Sequence, residues 1–159
     1  MTHRSILLVL FVLTLAVAAS AQTSASVVNV RPEQAVYKIK QGAKVQIAIV
    51  LEIESGYHIN SNRPGDDFLV ATSLKLEPPA GLTTSRVVYP KALLKKFRFS
   101  RKPMSVFEGR VVLRATVTAT AGLAGGTHII RGALRVQACN DEKCLLPKNV
   151  EVSVPVEVM

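Results

Sequence analysis

The chain of 159 residues contains no tryptophan, two cysteines and three histidines. Each scarcity excludes something. Without tryptophan there is no Cys–Trp–Cys core of the kind that marks antibody domains. Two cysteines are too few to staple a disulfide-dense scaffold, and a chain this long does not depend on one. Zinc takes four ligands. Past the N-terminal His3, only His58 and His128 accompany the thiols, and both are distant from them in sequence. A metal site is therefore the weakest reading of the cysteine pair. After residue 21 no stretch is apolar enough to cross a bilayer. No segment carries the apolar stripe of an amphipathic helix. There is no internal repeat and no low-complexity linker. Acidic residues are a minority, 11 Asp and Glu against 20 Lys and Arg.

What is present begins with a leader. Arg4 supplies a basic start, Ile6 to Ala19 is apolar apart from Thr14, and Ala19-Ser20-Ala21 follows the small-x-small cleavage rule. The pattern predicts a signal peptide over residues 1–21, cleaved after Ala21, and one domain over residues 22–159. The apolar run, about 14 residues, is shorter than the ~20 that span a bilayer. No cysteine follows it, which argues against a lipoprotein anchor. The expected location is periplasmic or secreted, with no transmembrane segment after cleavage. The mature chain keeps a charge of about +8, which favours an anionic envelope surface or an acidic partner. Export removes nucleic acid as a partner and permits disulfides.

Period-two alternation dominates the mature chain. Val45, Ile47, Ile49, Leu51 and Ile53 share one face of a strand, and Val111, Leu113, Ala115, Val117 and Ala119 share one face of another. Val150, Val152, Val154, Val156 and Val158 line a third, in which Pro155 cannot donate to a ladder and so predicts a sheet edge. Shorter strands are expected at 27–30, 35–39, 57–60, 73–77, 85–89 and 128–139. Turn signals separate them, among them Ser55-Gly56, Arg63-Pro64-Gly65 and Pro78-Pro79-Ala80-Gly81. This predicts an all-β domain, an antiparallel β-sandwich of immunoglobulin-like topology.

Both cysteines lie in "RVQACNDEKCLLPK", with four residues between Cys139 and Cys144. Alternation through Leu134, Val136 and Ala138 places Cys139 on the polar face of its strand. Asn140 to Lys143 then reads as a polar hairpin loop with Cys144 opening the return strand. Opposed Cα atoms in such a hairpin lie roughly 4.5–5.5 Å apart, within disulfide range. Closing so short a loop stabilises by only about 2 kcal/mol, against nearly ~5 for a loop of about a hundred residues. A bridge at a hairpin tip is open to an attacking thiolate. Asp141 and Glu142 are expected to raise the thiol pKa and Lys143 to lower it. A structural disulfide, a redox-active pair and a metal site all remain open on these grounds. In "LLKKFRFSRKP", Phe97 and Phe99 stand among Lys95, Lys96, Arg98, Arg101 and Lys102. Such interleaving suits single-stranded nucleic acid, which export rules out, or a solvated basic loop with one packed aromatic.

In order, the segments "GYHINSNRP", "SLKLEPPAGL", "VVYPKALLKKF", "VFEGRVVLRATV" and "VQACNDEKCLLP" resemble the N-terminal periplasmic domain of the thiol:disulfide interchange protein DsbD. The likeness runs roughly from Val27 to Val158. It implies an immunoglobulin-like sandwich whose two cysteines cycle between dithiol and disulfide. Cys144 matches the cysteine that forms the mixed disulfide with partners, and Cys139 the one that resolves it. The resemblance places a cap loop at "LLKKFRFSRKP", with Phe97 or Phe99 covering the cysteines, and Tyr57, His58 and Asn60 at the site periphery. No cofactor is implied. Implied partners are a thioredoxin-fold protein or a separate membrane electron donor, and a periplasmic disulfide-containing protein. The implied activity is protein-disulfide reduction or interchange. The sequence departs from the family at the cap, which is basic instead of acidic, at His58 and Asn60 where aromatics are common, and at Leu145. Nor does it carry the membrane and thioredoxin-like domains of the full protein, so the donor is expected on another chain. The alternative is a secreted immunoglobulin-like binding or adaptor module, with a passive hairpin disulfide and the basic segment 91–102 facing an anionic partner.

Overall fold

The computed structural model describes residues 22–66 and 68–159. The expected leader, residues 1–21, lies outside the described residues. A short 3-10 turn at Ser24–Ser26 opens the described chain. Twelve strands follow: β1 (Val28–Pro32), β2 (Tyr37–Ile39), β3 (Lys44–Ile53), β4 (His58–Asn60), β5 (Ser73–Glu77), β6 (Leu82–Thr84), β7 (Leu93–Lys95), β8 (Met104–Phe107), β9 (Arg110–Ala119), β10 (Gly126–Val136), β11 (Ala138–Cys139) and β12 (Lys148–Val158). They form three four-stranded sheets, ordered β1-β3-β9-β6, β2-β12-β10-β5 and β11-β4-β8-β7. All pairs are antiparallel except β12 with β2, where Val156–Val158 run parallel to Tyr37–Ile39. The fold is the all-β, immunoglobulin-like sandwich that the alternation predicts.

The first two sheets close on one core. Ile47, Ile49 and Leu51 of β3, Leu113 and Val117 of β9, and Val154 and Val156 of β12 are fully buried there. These are the inward positions read from the sequence. Burial of such aliphatic faces, at about 25 cal/mol per Å², is what holds the sheets together. The outer face of β3 is less polar than alternation suggests, because Val50 is buried as well. Its strand neighbours explain this. Val50 lies between Arg31 of β1 and Val112 of β9, and Arg31 is held by Glu52 at 2.9 Å, so its long stem can lie along that face.

Three expectations need correction. Residues 128–139 do not form one strand: β10 ends at Val136, and β11 begins at Ala138 in a different sheet. Gln137 makes the corner, where its backbone oxygen accepts from Asn60 N–H and its side-chain oxygen from Asn60 Nδ2 and Val70 N–H. Residues 85–89 are not a strand either. The strand is β6, just before them, and only Val88 bridges to Arg114. Pro155 is not on a free edge strand, since β10 flanks β12 throughout and β2 joins it at Val156. At Pro155 itself the β2 side is still open, so no donor is needed there.

Candidate functional site

The cysteine hairpin is tighter than a four-residue loop. Asn140 N–H donates to Lys143 C=O at 2.9 Å, so only Asp141 and Glu142 form the tip. Asn140 Oδ1 accepts from the N–H groups of Glu142 and Lys143, which is how asparagine stabilises a turn. Leu145 N–H donates to Ala138 C=O at 2.8 Å. These flanking bonds make Cys139 and Cys144 a non-hydrogen-bonded pair, the site at which opposed side chains approach most closely. Their Cα atoms are 3.9 Å apart and the sulfurs are joined in a disulfide.

The two cysteines differ in access. Cys144 is exposed, whereas Cys139 is fully buried. The expectation that Cys139 faces solvent with the polar residues of its strand is therefore overturned. Beyond the Gln137 corner the strand pairs with β4, Cys139 opposite His58 and Ala138 opposite Ile59. This sheet separates two apolar clusters. Ala138, Ile59 and Phe107 face the main core. The other face carries Cys139 and His58, and a smaller cluster of Phe97, Met104 and Val106 with Leu69 against it. The segment after β7 brings Phe97 to that same face, against His58.

Of the two candidate aromatics, Phe97 is the one that packs on His58. Its ring stacks on His58 with centroids 4.0 Å apart and planes 15° from parallel. Phe99 stacks on the far side of Phe97 at 5.5 Å and remains 45% exposed, against 8% for Phe97. His58 is 2% exposed, and its Nε2 is buried without a hydrogen-bond partner. Burial pushes the His58 pKa below its usual value. Glu108 and Asp141 pull it up and Lys95 pulls it further down.

Glu54 C=O accepts from Tyr57 N–H at 3.0 Å, closing a turn in which Gly56 has φ of 83°. Glycine adopts that conformation without penalty, and the turn feeds Tyr57 and His58 into the site. A cleft of about 430 Å³ opens there between Tyr57, His58, Phe97, the Lys95–Glu108 ion pair and Asp141. Tyr57 is half-buried and donates to Gln22 Oε1 at 3.2 Å. Asn60 does not join this group. It is wholly buried, and its amide ties β4 to Val70 C=O and to Gln137. Among the described residues there is no cluster of three or more metal-ligating His, Cys, Asp or Glu side chains.

Ser24 carries no motif in the sequence, yet it holds both arms of the hairpin. Its buried Oγ accepts from Ala138 N–H at 2.9 Å and donates to Leu146 C=O at 2.8 Å. Ser24→Ala should cost about 1–3 kcal/mol, because a buried amide loses its only partner. Urea unfolding of the two proteins measures this.

These observations define a class: an immunoglobulin-like β-domain with a hairpin disulfide between an exposed and a buried cysteine, the buried one paired across the sheet with a histidine that stacks on Phe97. The family profile described as thiol:disulfide interchange protein DsbD, N-terminal, matches residues 26–155, and the chain belongs to that family. Among solved structures, the DsbD N-terminal domain of Neisseria meningitidis in its reduced form is 16% identical, over 74% of this chain and 82% of that one, with a TM-score of 0.47. BcpA, the major pilin subunit of Bacillus cereus, is 9% identical over 83% of this chain and 40% of its own, also at 0.47. The seventh ScaB type I cohesin of Pseudobacteroides cellulosolvens is 14% identical over 84% and 92%, at 0.42. The comparison with curated proteins yields no match.

Proposed function

We propose that this chain is a periplasmic thiol–disulfide exchange domain that relays reducing equivalents through Cys139 and Cys144 to or from a thioredoxin-fold partner. The observation that carries this reading is the unequal exposure of the two sulfurs. Which sulfur is attacked depends on access. In the reducing direction the Cys144 thiolate attacks one sulfur of a disulfide in a periplasmic protein, forming a mixed disulfide while the other sulfur leaves as a thiolate. The Cys139 thiolate then attacks Cys144 Sγ, the internal disulfide closes, and the substrate sulfur bound to Cys144 leaves as a thiolate. When the domain is recharged, a thiolate of the donor attacks Cys144 Sγ and Cys139 leaves. The donor is a thioredoxin-fold protein or a membrane electron carrier. Cys139 has no route to a partner while covered, so its role is to resolve. Phe97, stacked over His58, is the cap.

A Cys139→Ser variant, reduced and mixed with an oxidised thioredoxin-fold protein, should accumulate an adduct through Cys144. A Cys144→Ser variant should not. Absence of the adduct, or a reduction potential well below about −300 mV, the range of disulfides that resist physiological reductants, would favour a passive staple instead.

A further inference from the structure

We propose that His58 is the acid–base group of Cys139, taking its proton as it resolves a mixed disulfide and returning it when the internal disulfide is reduced. This rests on the exchange reading above. His58 and Cys139 are register partners across β4 and β11 and project from the same face of the sheet. Such cross-strand neighbours have Cβ atoms about 5 Å apart, within reach of an imidazole. Because Cys139 is fully buried, its thiol cannot exchange a proton freely with bulk water. Something beside it has to hold that proton.

The environment leaves His58 suited to the task. Its Nε2 is buried and makes no hydrogen bond. An unsatisfied buried polar group calls for an explanation, and redox or catalytic use is one that fits a group beside a cysteine. Phe97, stacked on the ring at 4.0 Å, holds its orientation. The other charged groups near the ring are differently engaged. Glu108, at the end of β8, is ion-paired with Lys95 of β7, and Asp141 lies exposed at the hairpin tip. Glu54 and Tyr57 line the same cleft. Burial lowers the His58 pKa against the pull of Glu108 and Asp141, so the ring is neutral, and able to accept, at pH 7.

The step balances as follows. In the mixed disulfide, Cys144 Sγ is bonded to the partner sulfur and Cys139 is a thiol. As Cys139 Sγ attacks Cys144 Sγ, its proton passes to His58, and the bond to the partner breaks. The electron pair of that bond leaves on the partner sulfur. The imidazolium then gives its proton to that thiolate or to water. In the reverse direction His58 first takes the proton of the attacking donor thiol, or one from water, and gives it to Cys139 as that sulfur departs.

Oxidised glutathione serves as the probe. Reduced protein forms the Cys144–glutathione adduct, and release of glutathione from it reports resolution by Cys139. In the wild type the release rate should change little between about pH 6.5 and 8.5, because the acceptor stays neutral. In His58→Phe, which keeps the stack on Phe97, Cys139 must ionise alone, with a usual pKa near ~8.5. Its rate should then rise about tenfold per pH unit and be about 10²-fold lower at pH 7. His58→Gln, polar but unable to take a proton, should follow it. A wild-type rate that itself climbs tenfold per unit overturns the proposal whether or not the variants fold, and so does a variant with the wild-type profile. If the adduct forms and resolves equally in all three proteins, only the role of His58 falls. If no adduct forms at Cys144, the exchange reading falls and the role of His58 with it.

Discussion

Phe97→Ala should raise the rate at which dithiothreitol reduces the Cys139–Cys144 disulfide by about tenfold or more, since access governs exchange. Phe99→Ala should change it less than about twofold. The difference follows from position. Phe97 is buried against His58 and packs with Met104, Val106 and Leu69, whereas Phe99 lies outside it and is half-exposed. Removing the inner ring opens Cys139 Sγ to a small reductant as a second point of attack beside the exposed Cys144. Removing the outer ring leaves the inner one in place. Phe97→Ala should also cost about 3 kcal/mol of stability, at the low end for a buried aromatic because its cluster is small. Stopped-flow reduction and urea unfolding of both variants separate the two effects. Equal reduction rates for Phe97→Ala and the wild type would remove Phe97 from the role of cap.

The largest loss of stability is expected at Leu113. It is fully buried at the centre of β9, opposite Ile49 of β3, and belongs to the main core. Leu113→Ala should destabilise by about 3–5 kcal/mol, because the paired strands on either side cannot collapse into the cavity. Leu94, in β7, is 76% exposed. Its replacement by alanine should stay within about 0.5 kcal/mol. Urea midpoints at unchanged m-value test both.

The main sandwich was legible because its strands are long and one-sided. In β9 and β12 every second residue is aliphatic and inward, as the alternation requires. The hairpin was legible from its spacing alone. The corner at Gln137 was not, because hydrophobic alternation continues unbroken from Leu134 through Ala138 while the chain changes sheets. One consequence was the misplacement of Cys139 on the polar face. Strands β7 and β8 were missed for a related reason. Each has at most four residues, and "LLK" is exposed throughout, so no pattern distinguishes it from the basic loop that follows. His58 and Asn60 were picked out by resemblance. Burial of a polar residue in β4 depends on the segment folded over it, and local sequence does not report that. Ser24 is the extreme case, since its two contacts lie more than a hundred residues away.

The sheet β11-β4-β8-β7 is a wall shared by two clusters of very different size. This separates two events that would otherwise be one. Lifting the segment around Phe97 disrupts only the small cluster, and the sandwich on the other side keeps its contacts. Local opening therefore demands far less free energy than global unfolding. In hydrogen exchange, amides of the segment around Phe97 would open at low cost while those of β3 and β9 exchange only when the whole domain melts. The surroundings of the site can thus loosen through fluctuation of a minor layer, with no loss of the fold that carries it.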